Sequence, residues 1–195
     1  MVFRRKNADF RPDSRTRDLV QRLYLTPQQQ RRYLKWILLS LLGVLALVLQ
    51  DVLFSRMSLF GATVDTVPCV LLMICVIHGA EGGAVFMLIS ALIYWFSGSA
   101  PGVFVILLIP LLGTVAAAFR QAYLQKGFRT TMMCTGIALI LYEFLTFLAA
   151  LLLGVTRFGR VGVMMISTLL SLAILPVVFA LVWGICKIGG DSWKE

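Results

Sequence analysis

The chain has 195 residues, 59% of them hydrophobic and 14% charged, with a mean hydropathy of +0.90. Beyond the first 35 residues it has too little polar surface to clothe a soluble domain. Several apolar stretches approach the roughly 17–25 residues that a helix needs to cross a bilayer. The composition thus excludes an ordinary soluble globule and predicts an all-α, polytopic integral membrane bundle.

The formal charge of +9 is unevenly spread: ten of the eighteen Lys and Arg precede the first apolar run. Basic residues beside a membrane span are drawn to anionic lipid and orient the chain, each worth about 1 kcal/mol near the surface. Arg4, Arg5, Lys6, Arg31, Arg32 and Lys35 are therefore read as lipid and topology residues, and nucleic acid is not expected as a partner. No cleavable signal peptide is expected, so the first span stays as an anchor. This divides the chain into a basic arm (1–35), a transmembrane domain (36–187) and a short tail (188–195).

Residues 1–15 lack a hydrophobic pattern and read as disordered. Leu19, Val20, Leu23 and Tyr24 then fall at helical spacing, as in a short basic helix lying on a membrane surface or a solvated linker helix. Thr26, Pro27 and Gln29 make a helix start, with Thr as the cap and Pro at the first helical position. From there a helix runs into the apolar stretch 36–49, with Trp36 as an interfacial anchor and Asp51 and Arg56 closing the span. Asp65 is placed to cap a second helix that tolerates Pro68 in its first turn and ends near His78.

A third helix is expected over 82–96, a turn at 97–102, and a fourth helix over 103–119 containing Pro110. Arg120, Lys126 and Arg129 are assigned to a polar loop. A fifth helix over 131–153 carries Glu143 near its middle, and a sixth over 163–186 contains Pro176. The second and third helices, at about 15–17 residues each, are short enough either to cross or to form a re-entrant hairpin. Six spans with the N-terminus inside place fifteen Lys and Arg on the cytoplasmic side and only Arg56, Arg157 and Arg160 outside, which predicts N-in, C-in.

The stretch VIHGAEGG (76–83) holds the only histidine, followed by Glu81. At a cytoplasmic turn, Gly79, Gly82 and Gly83 would supply the tight connection, and Glu81 would favour the first turn of the next helix. Ser97 and Ser99 fall on the opposite face from His78, so no Ser–His pair forms. With one histidine and no H-E-x-x-H, no metal site is expected, and the chain reads as a non-enzyme without cofactor. Cys69, Cys75, Cys134 and Cys186 read as packing residues. Glu143 is the outstanding polar residue, because a carboxylate inside an apolar span is costly. Either it is hydrogen-bonded to Tyr142, Thr146 or a neighbouring helix, or it meets a partner or substrate. Asp51, Arg56 and Asp65 are grouped as a local ion-pair set at the first outer loop.

The segment LQDVLFSRMSLFGATVD (49–65), followed by an apolar helix and HGAEGGAVFMLISALIYWFSG (78–98), resembles the rod-shape-determining MreD family. Gln50, a Phe60-Gly61 turn, Asp65, the elbow Gly79, Glu81 and Gly82, and Gly98 stand in that family's order, with Glu81 one residue early. Tyr94-Trp95 stands where such chains often carry Asp, and Val64 where a Pro is usual.

The resemblance implies a non-enzymatic scaffold of the bacterial cell-elongation machinery in the inner membrane. Such a subunit binds a MreC-type single-span protein and, through it, couples MreB filaments to peptidoglycan synthases. It also implies a fold similar to the substrate-binding S-components of energy-coupling-factor transporters. A small-ligand transporter subunit is therefore the alternative, although the first span lacks an A-x-x-x-A strip.

Overall fold

A computed structural model describes residues 27–54, 64–124 and 127–188. The basic arm with Arg4, Arg5 and Lys6, the helix expected at 19–24, the Thr26 cap, Arg56, the Phe60-Gly61 turn and the end of the tail lie outside the described residues.

Among the described residues six α-helices form one bundle: α1 (Pro27–Leu49), α2 (Thr66–His78), α3 (Ala80–Phe96), α4 (Val105–Tyr123), α5 (Phe128–Leu152) and α6 (Val161–Ile188). A π-helical turn (Gln50–Phe54) extends α1, and a short 3-10 turn (Phe158–Arg160) leads into α6. No strand occurs among the described residues. The helices alternate in direction. One end of the bundle therefore carries Trp36, His78, Arg120 and Cys186, and the other carries Gln50, Asp65, Tyr94 and Arg160.

Four helical segments are long and apolar enough to cross a membrane: α1 with the start of its π turn, α4, α5, and α6 with the 3-10 turn. Their outward faces are ridges of large apolar residues, such as Ile37, Leu41, Val44 and Val48 on α1 and Leu107, Leu111 and Val115 on α4. On a water-facing helix that stripe would be polar. These segments bury only a minority of their residues inside the bundle, so their apolar character is directed outward as well as inward.

α2 has 13 residues, shorter than the sequence predicts, and every residue from Thr66 to Ile77 is buried. It packs against all five other helices. At 1.5 Å per residue it is about 20 Å long, well short of a bilayer core of roughly 30 Å. Enclosure by protein on every side removes the need to match that thickness. α2 is thus the axis of the core, and Leu39, Met87, Ile109, Leu139, Tyr142 and Leu175 close around it.

The connections follow the glycines only in part. Gly79 has φ +96 and joins α2 to α3, a conformation that penalises any side chain with a Cβ. Gly82 and Gly83 lie inside α3 instead of in the turn, because the helix begins two residues earlier than expected. Gly83 serves packing, since an added Cβ would approach the Cys75 backbone at 2.9 Å. Gly98 turns the chain after α3 with φ +79, as the Ser-Gly signature implies.

Candidate functional site

Three polar features interrupt the apolar bundle. The first surrounds Gln50 in the π-helical turn, where the wider backbone spacing faces the side chain inward (6% exposed). Its Nε2 donates to Tyr94 Oη at 3.0 Å and to Asp65 Oδ1 at 3.3 Å. Its Oε1 accepts the backbone N–H of Val67 at 2.9 Å. The amide thus satisfies one of the free N–H groups at the start of α2, the role expected of Asp65.

Asp65 does occupy the N-cap position, yet its side chain makes no capping bond. Its carboxylate is taken by Gln50, while its backbone N–H donates to Ser171 Oγ of α6 at 3.3 Å. The Cys69 thiol donates to the Asp65 carbonyl at 3.0 Å. Beside this network the Ser99 hydroxyl donates to Asp51 Oδ1, and Ser97 Oγ donates to the Tyr94 carbonyl at 2.7 Å. Asp51 and Asp65 make these separate hydrogen bonds, and the expected ion-pair set with Arg56 falls outside the described residues.

The second feature is the VIHGAEGG elbow at the opposite end. His78 closes α2, its Nδ1 at 3.0 Å from the Ile74 carbonyl and its ring against Trp36, with centroids 5.1 Å apart. Trp36 also packs on Phe86 at 5.6 Å and is half-buried. Glu81 is exposed in the first turn of α3, as expected for a carboxylate favoured by the helix dipole. Arg120 departs from its assignment to a loop. It is 2% exposed, inside the last turn of α4, and its Nη2 donates to the Ile77 carbonyl at 3.4 Å. A cation there answers the unpaired carbonyls and the negative end of the α2 dipole. Lys35 is likewise buried, whereas Arg31 and Arg32 are exposed.

The third feature is Glu143. It is 6% exposed on α5, and its Oε1 has no hydrogen-bond partner. The hydroxyls of Tyr142 and Thr146, expected as its partners, do not bond to this oxygen. Glu143 instead lines a cavity of about 340 Å³ between α5 and α6, walled by Thr146, Phe147, Val163 and Met164, with Arg160 contributing from the 3-10 turn.

No protein-family model matches the chain, and no curated protein or solved structure matches it significantly.

Among the described residues no group of three or more His, Cys, Asp or Glu could hold a metal ion. His78 and the serines Ser97 and Ser99 lie beyond opposite ends of α3, a helix of 17 residues and about 25 Å. The four cysteines are buried, in keeping with a packing role. Gln50, Asp65 and Gly98 gather at one end of the bundle and Gly79, Glu81 and Gly82 at the other, and the Glu143 carboxyl is close enough to Asp65 and Tyr94 at the first of these ends to interact with them electrostatically. Sequence reasoning missed Tyr94, Ser171 and Arg120. Ser171 and Arg120 each left a signal, as an isolated polar residue inside or at the edge of an apolar run. Tyr94 left none, because a tyrosine near a helix end also reads as an interfacial aromatic.

Proposed function

We propose that this chain is a non-enzymatic scaffold subunit of the bacterial cell-elongation machinery, similar to MreD. It resides in the plasma membrane with six helices and both termini inside. In this reading it binds a MreC-type single-span protein and thereby couples MreB filaments to peptidoglycan synthases, while its basic arm engages anionic lipid.

The observation that carries the reading is the ordered set Gln50, Phe60-Gly61, Asp65, Gly79, Glu81, Gly82 and Gly98. The hydrogen bond between Gln50 and Asp65 supports it, because two residues of that set, 15 apart, serve one network at the start of the central helix. A pattern maintained by such a network is less readily met by chance than separate short motifs. The four long apolar helices support the membrane location, and the concentration of Lys and Arg before the first span supports the orientation.

Affinity purification of the tagged chain from native membranes tests the partner directly: a MreC-type protein should co-purify at near-stoichiometric yield. Normal rod shape after depletion, in a rod-shaped host without a second copy of the gene, would overturn the reading.

A further inference from the structure

We propose that the cavity between α5 and α6 binds a dipeptide-sized zwitterion with apolar side chains, its ammonium on Glu143 and its carboxylate on Arg160. Such a site goes beyond the scaffold reading and does not depend on it.

The carboxyl of Glu143 is buried, and an acceptor oxygen without a donor inside a protein demands an explanation. Thr146 Oγ1, one turn further along α5, lines the same cavity beside it, so the floor is polar. The walls between them and the end of the bundle are mainly apolar, with Phe147, Ala150, Val163 and Met164, and carry the hydroxyls of Ser167 and Thr156. Arg160, exposed where α6 begins, is the cation of the lining. A carboxyl within and a guanidinium toward the end select a molecule that carries a donor cation at one end and an anion at the other.

Glu143 and Ala150 are seven residues apart on α5, about 10 Å along the axis. A single amino acid cannot bridge that depth, whereas two extended residues span about 7 Å and the arginine side chain supplies the remainder. The cavity volume of about 340 Å³ falls in the range of small-molecule sites.

The full-length protein in nanodiscs is titrated with L-leucyl-L-leucine and followed by calorimetry and thermal unfolding. The expected result is saturable binding and a raised Tm. Affinity should fall about tenfold or more both for the N-acetylated peptide and in Glu143→Gln, with no further loss when the two are combined. The peptide amide should show the same relation to Arg160→Gln. Ala150→Trp fills the cavity without touching either charge and should abolish binding, which keeps the test decisive if Glu143→Gln does not fold. Absence of saturable binding, or wild-type affinity in both charge variants, overturns the proposal. Binding of free leucine in place of the dipeptide would overturn the two-residue span.

Discussion

Gln50 makes three hydrogen bonds through one buried amide, and each joins it to a part of the chain at least 15 residues away. Gln50→Ala leaves the Val67 N–H and the Asp65 carboxylate without this partner, at a cost of about 2–3 kcal/mol. Tyr94→Phe removes one bond of the same set and should cost about 1 kcal/mol. Denaturant titration of the purified variants in detergent measures both. Glu143 and Glu81 make a contrasting pair, one buried without a partner for its Oε1 and one exposed at a helix start. Glu143→Leu should reduce partner co-purification and rod-shape complementation severalfold, and Glu81→Ala should leave both near wild type. Wild-type behaviour of both would remove Glu143 from the function.

The elements depend on close approach around α2. Gly83 brings α3 so near the Cys75 backbone that Gly83→Leu must displace a helix, an overpacking cost of about 1–3 kcal/mol. Gly82→Leu is the control one residue away, because a Cβ there meets only the Trp36 ring at 3.5 Å. Thermal unfolding should rank the two clearly. Gly79→Ala is penalised twice, by its positive φ and by the Gln121 side chain, and should also destabilise by about 1–3 kcal/mol. Periodicity and turn residues made the six helices legible within a few residues at most ends. They overestimated α2, because a short apolar run gives no sign of whether lipid or other helices surround it. Arg120 illustrates the same limit: its charge suggested a loop, and only the neighbouring end of α2 explains its burial.

At the scale of the whole molecule, the alternation of helices and the basic arm make separate predictions. In a background lacking the four native cysteines, Val155→Cys should react with an impermeant maleimide added to intact cells. Tyr123→Cys should react only after permeabilisation. The reverse pattern would invert the topology. Deletion of residues 2–15 should leave partner co-purification within about twofold of wild type if the arm acts through lipid alone. Its loss, with membrane insertion intact, would make the arm a docking segment.

Sequence alone determined the helical class, the apolar spans, the elbow with Gly79 and Glu81 and the turn at Gly98, because hydrophobic run length and glycine conformation are local properties. It also singled out Glu143, since an isolated carboxyl in an apolar run is conspicuous whatever surrounds it. Only the tertiary structure decided that α2 is the enclosed axis, that Gln50 rather than Asp65 supplies the bond to the start of that helix, and that Glu143 lines a cavity in place of bonding to Tyr142 or Thr146. Those outcomes depend on which side chains are brought together from distant segments, and the pattern along any one helix does not encode its neighbours.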